Sequence, residues 1–364
     1  MDPKISNISE LESQYKFTLS GVDVSLINAL RRTILSEIPI TCVYTENYKD
    51  NDCSIQSNTS RLHNELIKHR ISNIPVHVTD NSLLPNKYVL ELDVKNNTDD
   101  MMFVTTEHFK IKNKENNQYL KEEKVHEIFP ANSITSQYID ILRLRPKMGN
   151  VPGEEIKLTA DFSVHTAKED GAFNVVCKCS YGNTIDVEKA NKAWSEVEKE
   201  LRGEQLMDSD IAFRKKNFYL LDVNKHFVEN SFDFVLQSIG IYSNVKLVKK
   251  ACEILTMQVT DFVKDVNSNL VPIIPSVTTM ENSFDVKIKT GDYTLGKLLE
   301  FYLYNKFYGE VLTFVGFKKM HPHDEESVLR VAYKENADKQ MVMTHLGQSA
   351  VEIVEVIKKV NSLF

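Results

Sequence analysis

Residues 22–39 read VDVSLINALRRTILSEIP. Leu26, Leu30 and Ile34 recur at i, i+4 and i+8, the spacing of one face of a helix, and two adjacent arginines, Arg31 and Arg32, interrupt that stripe. Ser25 stands just before the run, where a hydroxyl can accept from an orphan backbone N–H, so a helix is expected to start near Leu26 with Ser25 as its cap. Around the helix the arginines fall about 100° and 200° from Leu30, away from the apolar face. They are expected to point outward, where a guanidinium suits bidentate contact with carboxylates or carbonyls of a partner.

The same grammar returns 269 residues later. Tyr15, Phe17 and Leu19 fall on Phe284, Val286 and Ile288, each triplet alternating with polar residues as in a strand with one buried face. Without a gap, Asp23 meets Asp292, Ser25 meets Thr294, Leu26 meets Leu295, Leu30 meets Leu299 and Ile34 meets Leu303. A second helix is therefore expected near Leu295, capped by Thr294. Two such halves can pack about a pseudo-two-fold axis, stripe on stripe, as in an isologous dimer. The positions matching Arg31 and Arg32 are Glu300 and Phe301, so the halves offer different outer faces.

Length and composition set the bounds. A chain of 364 residues, 42% hydrophobic and 26% charged, exceeds what one core comfortably holds and contains no apolar run long enough for a bilayer. The opening MDPKISNISELESQY lacks the pattern of an export signal, and five scattered cysteines fit a reducing compartment better than a disulfide framework. A net charge of −7 argues against an independent DNA binder, so any service to nucleic acid is expected through partners.

SLINALRRTILSEIP (25–39) closely resembles the signature of the alpha-like subunits of cellular RNA polymerases, and NTSRLHNELIKHRISNIPV (58–76) resembles the same family's second motif. The stretch 141–183 is similar to the family's return strands and its His-Ala-Lys loop, although here His165, Thr166, Ala167 and Lys168 carry an insertion followed by Glu169 and Asp170. Residues 232–255 resemble the closing strand and helix. DYTLGKLLEFYLY (292–304) with VLTFVGFKKMHPHDEESVLRVAY (311–333) resembles instead the small dimerisation partner of that subunit, matching at Gly296, Gly316, His321 and Pro322. One polypeptide thus resembles a fusion of two polymerase subunits, the form found in large cytoplasmic DNA viruses.

The resemblance implies an α+β fold: an alpha-like dimerisation domain over 1–78 and 151–265, an inserted domain over 79–150, a linker over 266–282, and a smaller dimerisation domain over 283–364. It implies an intramolecular interface of Leu26, Leu30, Ile34, Leu295, Leu299 and Leu303. It implies docking of two large catalytic subunits through Asn28, Arg31, Arg32, Glu37, Pro39, Asn58, Ser60, Glu65, Arg70 and Pro75. Small zinc-binding polymerase subunits are further expected partners, DNA is reached only through the complex, and no membrane is involved. If the chain is viral, the resemblance implies the cytoplasmic viral factory and the virion. The linker DVNSNLVPIIPSVTTMEN (265–282), with two prolines, is expected to be a flexible tether reaching ~20 Å.

Chemical alternatives are weaker. No glycine-rich phosphate loop, HExxH or GxSxG occurs, so no catalytic residue and no cofactor is expected. His321, His323 and Asp324 flank a proline and read as a turn, while Cys177 and Cys179 lack a second pair at zinc-ribbon spacing and read as small buried hydrophobes. The helix expected over 187–203 is a charged surface element anchored by Trp194, and the C-terminal run reads as a long helix closing the smaller half. The rival reading is a standalone nucleic-acid-binding factor, which would need a basic aromatic surface; the lysines from Lys110 to Lys124 are interleaved with glutamates.

Overall fold

The computed structural model describes residues 1–11, 13–47, 51–204, 206–289, 293–321 and 323–364. These form two compact units: Met1–Ile34 with Lys178–Gln237 and Asn244–Phe364, and Leu35–Cys177 with Ser238–Ser243.

The first unit contains one topology twice. Strands Lys4–Leu11 and Gln14–Ser20, helix Val24–Ser36, strands Val176–Ile185 and Phe227–Ser238, and helix Asn244–Asn267 make one copy. Strands Ile273–Pro275 and Ser283–Ile288, helix Tyr293–Phe307, strands Leu312–Lys318 and Ser327–Tyr333, and helix Lys339–Ser362 make the other. Each copy has one four-stranded sheet, with its strands side by side in the order first, second, fourth, third. The shift of 269 carries the start of the second strand from Gln14 to Ser283, and of the following helix from Val24 to Tyr293.

A second shift, not apparent from residue types, relates the closing elements. Phe17 pairs with Phe234 in one sheet and its counterpart Val286 with Leu329 in the other, a step of 329 − 234 = 95. The same 95 takes the closing helix from Asn244 to Lys339, and both helices are 24 residues long. Two long connections in the first copy conceal the relation. One is residues 37–175, and the other carries helices Val187–Gly203 and Asp208–Leu220, where Trp194 packs with Leu201, Ile211 and Phe218.

Three sequence expectations need correction. The cap of the first helix lies two positions earlier than Ser25: Asp23 caps it, its carboxylate accepting from the Ser25 N–H at 2.6 Å and its carbonyl from Ile27 N–H at 3.2 Å. Asp is as good a cap as Ser, and the Ser25 hydroxyl is buried without a hydrogen-bond partner. Asp292, its counterpart, lies outside the described residues. The second compact unit runs from Leu35, not from residue 79, because strands 40–42 and 53–58 pair with 163–165 and 155–161 respectively. Finally, the expected tether is partly structured: Val266 and Asn267 finish a helix, and Ile273–Pro275 pairs with Ser283–Ile288 at a sheet edge, where proline's missing N–H costs nothing.

The second unit is built on a four-stranded antiparallel sheet of Cys53–Asn58, Glu155–Asp161, Tyr88–Lys95 and Lys110–Asn113. Its core gathers Ile67 and Ile71 from helix Asn64–Ser72 with Leu90, Leu92, Ile156 and Leu158 from the sheet. The turn that follows strand Tyr88–Lys95 is held from inside: buried Asn96 donates to the carbonyls of Asp100 and Leu144, both at 2.9 Å.

In the later sheet, Asp285 lies opposite Arg330 and accepts two hydrogen bonds from its guanidinium, at 2.6 and 2.8 Å. Those bonds hold the Asp285 carboxyl below the usual carboxylate range. A depressed pKa stabilises the fold above the unfolded value, about 3.9, and that stabilisation is lost as pH falls through the lower folded value. Asp285→Asn is therefore expected to cost ~1 kcal/mol at neutral pH and to flatten the decline in stability below about pH 4. Urea midpoints measured at neutral and acid pH check this.

Candidate functional site

Within the first unit the two copies meet through their helices. Helix Asn244–Asn267 packs closely against helix Lys339–Ser362, each burying a full stripe. Leu247, Val248, Ala251 and Leu255 stand at the positions that the shift of 95 carries onto Val342, Met343, Leu346 and Ala350, and all eight are buried. The C-terminal helix thus serves both copies rather than closing one. Beyond its end, the Phe364 ring sits edge-on to Phe17 in the first sheet, with centroids 5.0 Å apart.

The stripes read from sequence are internal, as Leu26, Leu30, Ile34, Leu299 and Leu303 are all buried, but Leu295 is only half-buried. Burial follows the shift of 269 closely: Ile27 and Gly296, Ala29 and Leu298, Leu30 and Leu299, Thr33 and Tyr302, and Ile34 and Leu303 are buried pair by pair. Helix Tyr293–Phe307 packs on strands Leu312–Lys318 and Ser327–Tyr333 of its own sheet and on helix Lys339–Ser362.

The arginines behave differently from expectation. Arg32 does not point away: its Nε donates to Thr294 Oγ1 at 2.9 Å, joining the first helix to the start of its counterpart. The residue read as a cap is thus the acceptor of a link between copies. Arg31 binds its own helix, donating from Nε and Nη2 to Asn28 Oδ1 at 3.2 and 3.0 Å, which presents the pair as one polar group. Thr294→Val removes the acceptor while keeping the volume, and is expected to cost ~1–2 kcal/mol, read as a lowered melting temperature; Thr294→Ser should retain most of the stability.

The remaining docking candidates belong to the second unit. Asn58 and Ser60 build a turn: Asn58 Oδ1 accepts from Ser60 N–H at 3.0 Å and from its hydroxyl at 2.6 Å, while Asn58 Nδ2 donates to Leu62 O at 2.8 Å and Asn64 Oδ1 at 2.7 Å. This turn starts the helix that carries Glu65 and Arg70, both exposed. Glu65 lies 3.9 Å from His63, and Arg70 Nη2 donates to Asp140 O at 2.8 Å. Pro75 is half-buried. Glu37 pairs with Lys168 of the His-Ala-Lys-like loop at 3.2 Å, and Lys168 N–H donates to Ser36 O at 3.0 Å, so this loop is tied to the end of the first motif. The Pro39 carbonyl accepts from Asn81 and from the Tyr242 hydroxyl at 3.0 and 3.1 Å.

Gly296 and Gly316 are both places of close approach. A Cβ on Gly296 would stand 2.1 Å from the Phe317 ring, and one on Gly316 would stand 2.7 Å from the Phe314 ring. His321 lies in a turn where its Nδ1 accepts from His323 N–H at 3.2 Å; Pro322 lies outside the described residues. Among the described residues no group of three His, Cys, Asp or Glu is placed to hold a metal ion. Burial pushes the thiols of Cys42, Cys179 and Cys252 up to about 12 and that of Cys53 to about 11, but Cys177 is exposed, contrary to its reading as a buried hydrophobe.

Residues 16–259 match the family of the RNA polymerase Rpb3/Rpb11 dimerisation domain. The match runs from the second strand of the first copy into its closing helix. DNA-directed RNA polymerase subunit Rpo3 of Thermococcus kodakarensis is 48% identical over 61 residues, 17% of this chain and 21% of that one. Rpo3 of Methanosphaera stadtmanae is 25% identical over 275 residues, 69% of this chain and 94% of that one. The human DNA-directed RNA polymerases I and III subunit RPAC1 is 24% identical over 208 residues, 52% of this chain and 57% of that one. The matches to the Thermococcus kodakarensis and Pyrococcus furiosus proteins span only 21% and 25% of those relatives' lengths.

Proposed function

The chain belongs to the RNA polymerase Rpb3/Rpb11 dimerisation domain family, and on that premise we propose that it is a non-catalytic assembly subunit of a multisubunit DNA-dependent RNA polymerase. It carries the alpha-like subunit and its small dimerisation partner in one polypeptide, folded into an intramolecular heterodimer. The observation that carries this reading is the doubled topology, with helix Asn244–Asn267 of one copy packed on helix Lys339–Ser362 of the other. Joining both copies in one chain makes their association intramolecular and sets their ratio at one to one.

The heterodimer docks the two large catalytic subunits, which hold the polymerase chemistry. The exposed ends of Glu65 and Arg70 and the paired Asn28 and Arg31 are the contacts; Arg32 serves the internal interface. Small zinc-binding subunits are further partners, and DNA is reached through the complex, in keeping with the net charge of −7. If the chain is viral, this reading puts it in the cytoplasmic viral factory and the virion; otherwise it belongs wherever its polymerase acts.

Affinity purification of the tagged chain from its native cells, followed by mass spectrometry and an RNA-synthesis assay, tests the reading. Two very large polymerase subunits in equal amount are expected. Recovery of the chain alone, or with DNA only, would overturn it.

A further inference from the structure

In the second unit, Arg61, Arg70, Arg143 and Arg145 line one open groove of about 570 Å³. Two carboxylates share it, Asp140 and Glu154, so four positive charges face two negative ones and leave an excess of two. Glu154 is nearly buried and already bound to Arg145, which donates from Nε at 2.5 Å and from its backbone N–H at 2.8 Å. Arg70 gives one N–H to the Asp140 carbonyl and makes no ion pair among the described residues. Arg143 is exposed, with its guanidinium 4.7 Å from the Phe103 ring centroid, which orients it without neutralising it. Arg61 is exposed and, among the described residues, has no hydrogen bond or ion pair. Among the described residues, three guanidiniums thus lack a carboxylate within a chain that is acidic overall.

The rim decides what fits. Phe103 and Met101 are about half exposed, at 47% and 53%, and Leu62 and Leu142 also line the groove or its wall. Apolar groups between unpaired arginines favour a segment that alternates acidic and apolar side chains, since each guanidinium can take a carboxylate bidentately while the rim covers an apolar neighbour. A nucleic-acid backbone needs a continuous basic track; here Asp140 lies in the groove and Asp99 and Asp100 immediately precede Met101. We infer that this groove is a docking site for an acidic, partly apolar segment of a partner polypeptide. The inference rests on the assembly reading only in that Arg70 is shared between them.

The test uses the full chain and a short labelled peptide of alternating glutamate and leucine, with single-stranded DNA as the competing probe. Arg61→Glu with Arg143→Glu changes two exposed side chains, so circular dichroism and melting should stay as in the wild type. Peptide binding is expected to weaken at least about tenfold in that variant. Equal binding by both proteins would overturn the site, as would DNA that binds more tightly than the peptide and is lost with the same substitutions. Large-subunit recovery is scored in parallel. Its absence from wild type with peptide binding intact removes the assembly reading and keeps the groove, whereas intact recovery with no effect of the variant on the peptide does the reverse.

Discussion

Leu299→Asp is expected to unfold most of the later sheet and its helices at temperatures where the wild type is native. Leu299 is fully buried, on a helix covered by strand Leu312–Lys318 and helix Lys339–Ser362. The substitution removes roughly 2 kcal/mol of apolar burial and leaves a carboxylate with no cation to receive it, for a total on the order of 5 kcal/mol. Domains of this size are stable by only about 5–15 kcal/mol. Leu295→Asp is the internal control: Leu295 is half-buried, and its carboxylate can turn to water, so its loss should be clearly smaller. Urea denaturation and limited proteolysis separate the two. A Leu299→Asp midpoint equal to that of Leu295→Asp would mean that the later stripe is not buried in solution.

Gly296→Val is expected to cost ~3 kcal/mol or more. Glycine within a helix normally gives up about 1 kcal/mol relative to alanine, so its presence at this point of helix Tyr293–Phe307 needs a cause. The cause is the Phe317 ring, which lies so near the backbone that a Cβ would come within 2.1–2.3 Å of three ring atoms. A branched side chain must push the ring, and hence strand Leu312–Lys318, off the helix. Phe317→Ala empties the same space. Combined with Gly296→Val it should lose much less than the sum of the single losses, a coupling of ~1–3 kcal/mol in a double-mutant cycle. Additive losses would refute the contact.

How much was legible beforehand depended on how local each signal was. The strand and helix around Phe17 and Leu30, and their counterparts around Val286 and Leu299, follow from periods of 2 and 3.6 that a few neighbouring residues suffice to define. The equivalence of helices Asn244–Asn267 and Lys339–Ser362 was missed, because Leu247 and Val248 answer to Val342 and Met343 with different side chains, and because the connection 37–175 breaks the spacing. The signal available was a shared buried stripe at a step of 95, visible only once Phe17 and Val286 were known to pair with Phe234 and Leu329. The cap of the first helix lies two positions before the expected one because Asp23 and Ser25 both suit the role, and propensity alone does not choose between them.

The sequence by itself determined that a strand and an amphipathic helix occur twice, 269 residues apart, since hydrophobic periodicity and cap chemistry are written in consecutive residues. Only the tertiary structure decided what those faces meet. Arg32 stands on the flank of its stripe, yet a long guanidinium stem can reach any acceptor nearby, and Thr294 was brought there by the fold from 262 residues away. The closing helices came to pack closely on one another across the two copies. Which apolar face covers which is settled by the sum of many weak contacts over the whole unit, a quantity that no short stretch of sequence contains.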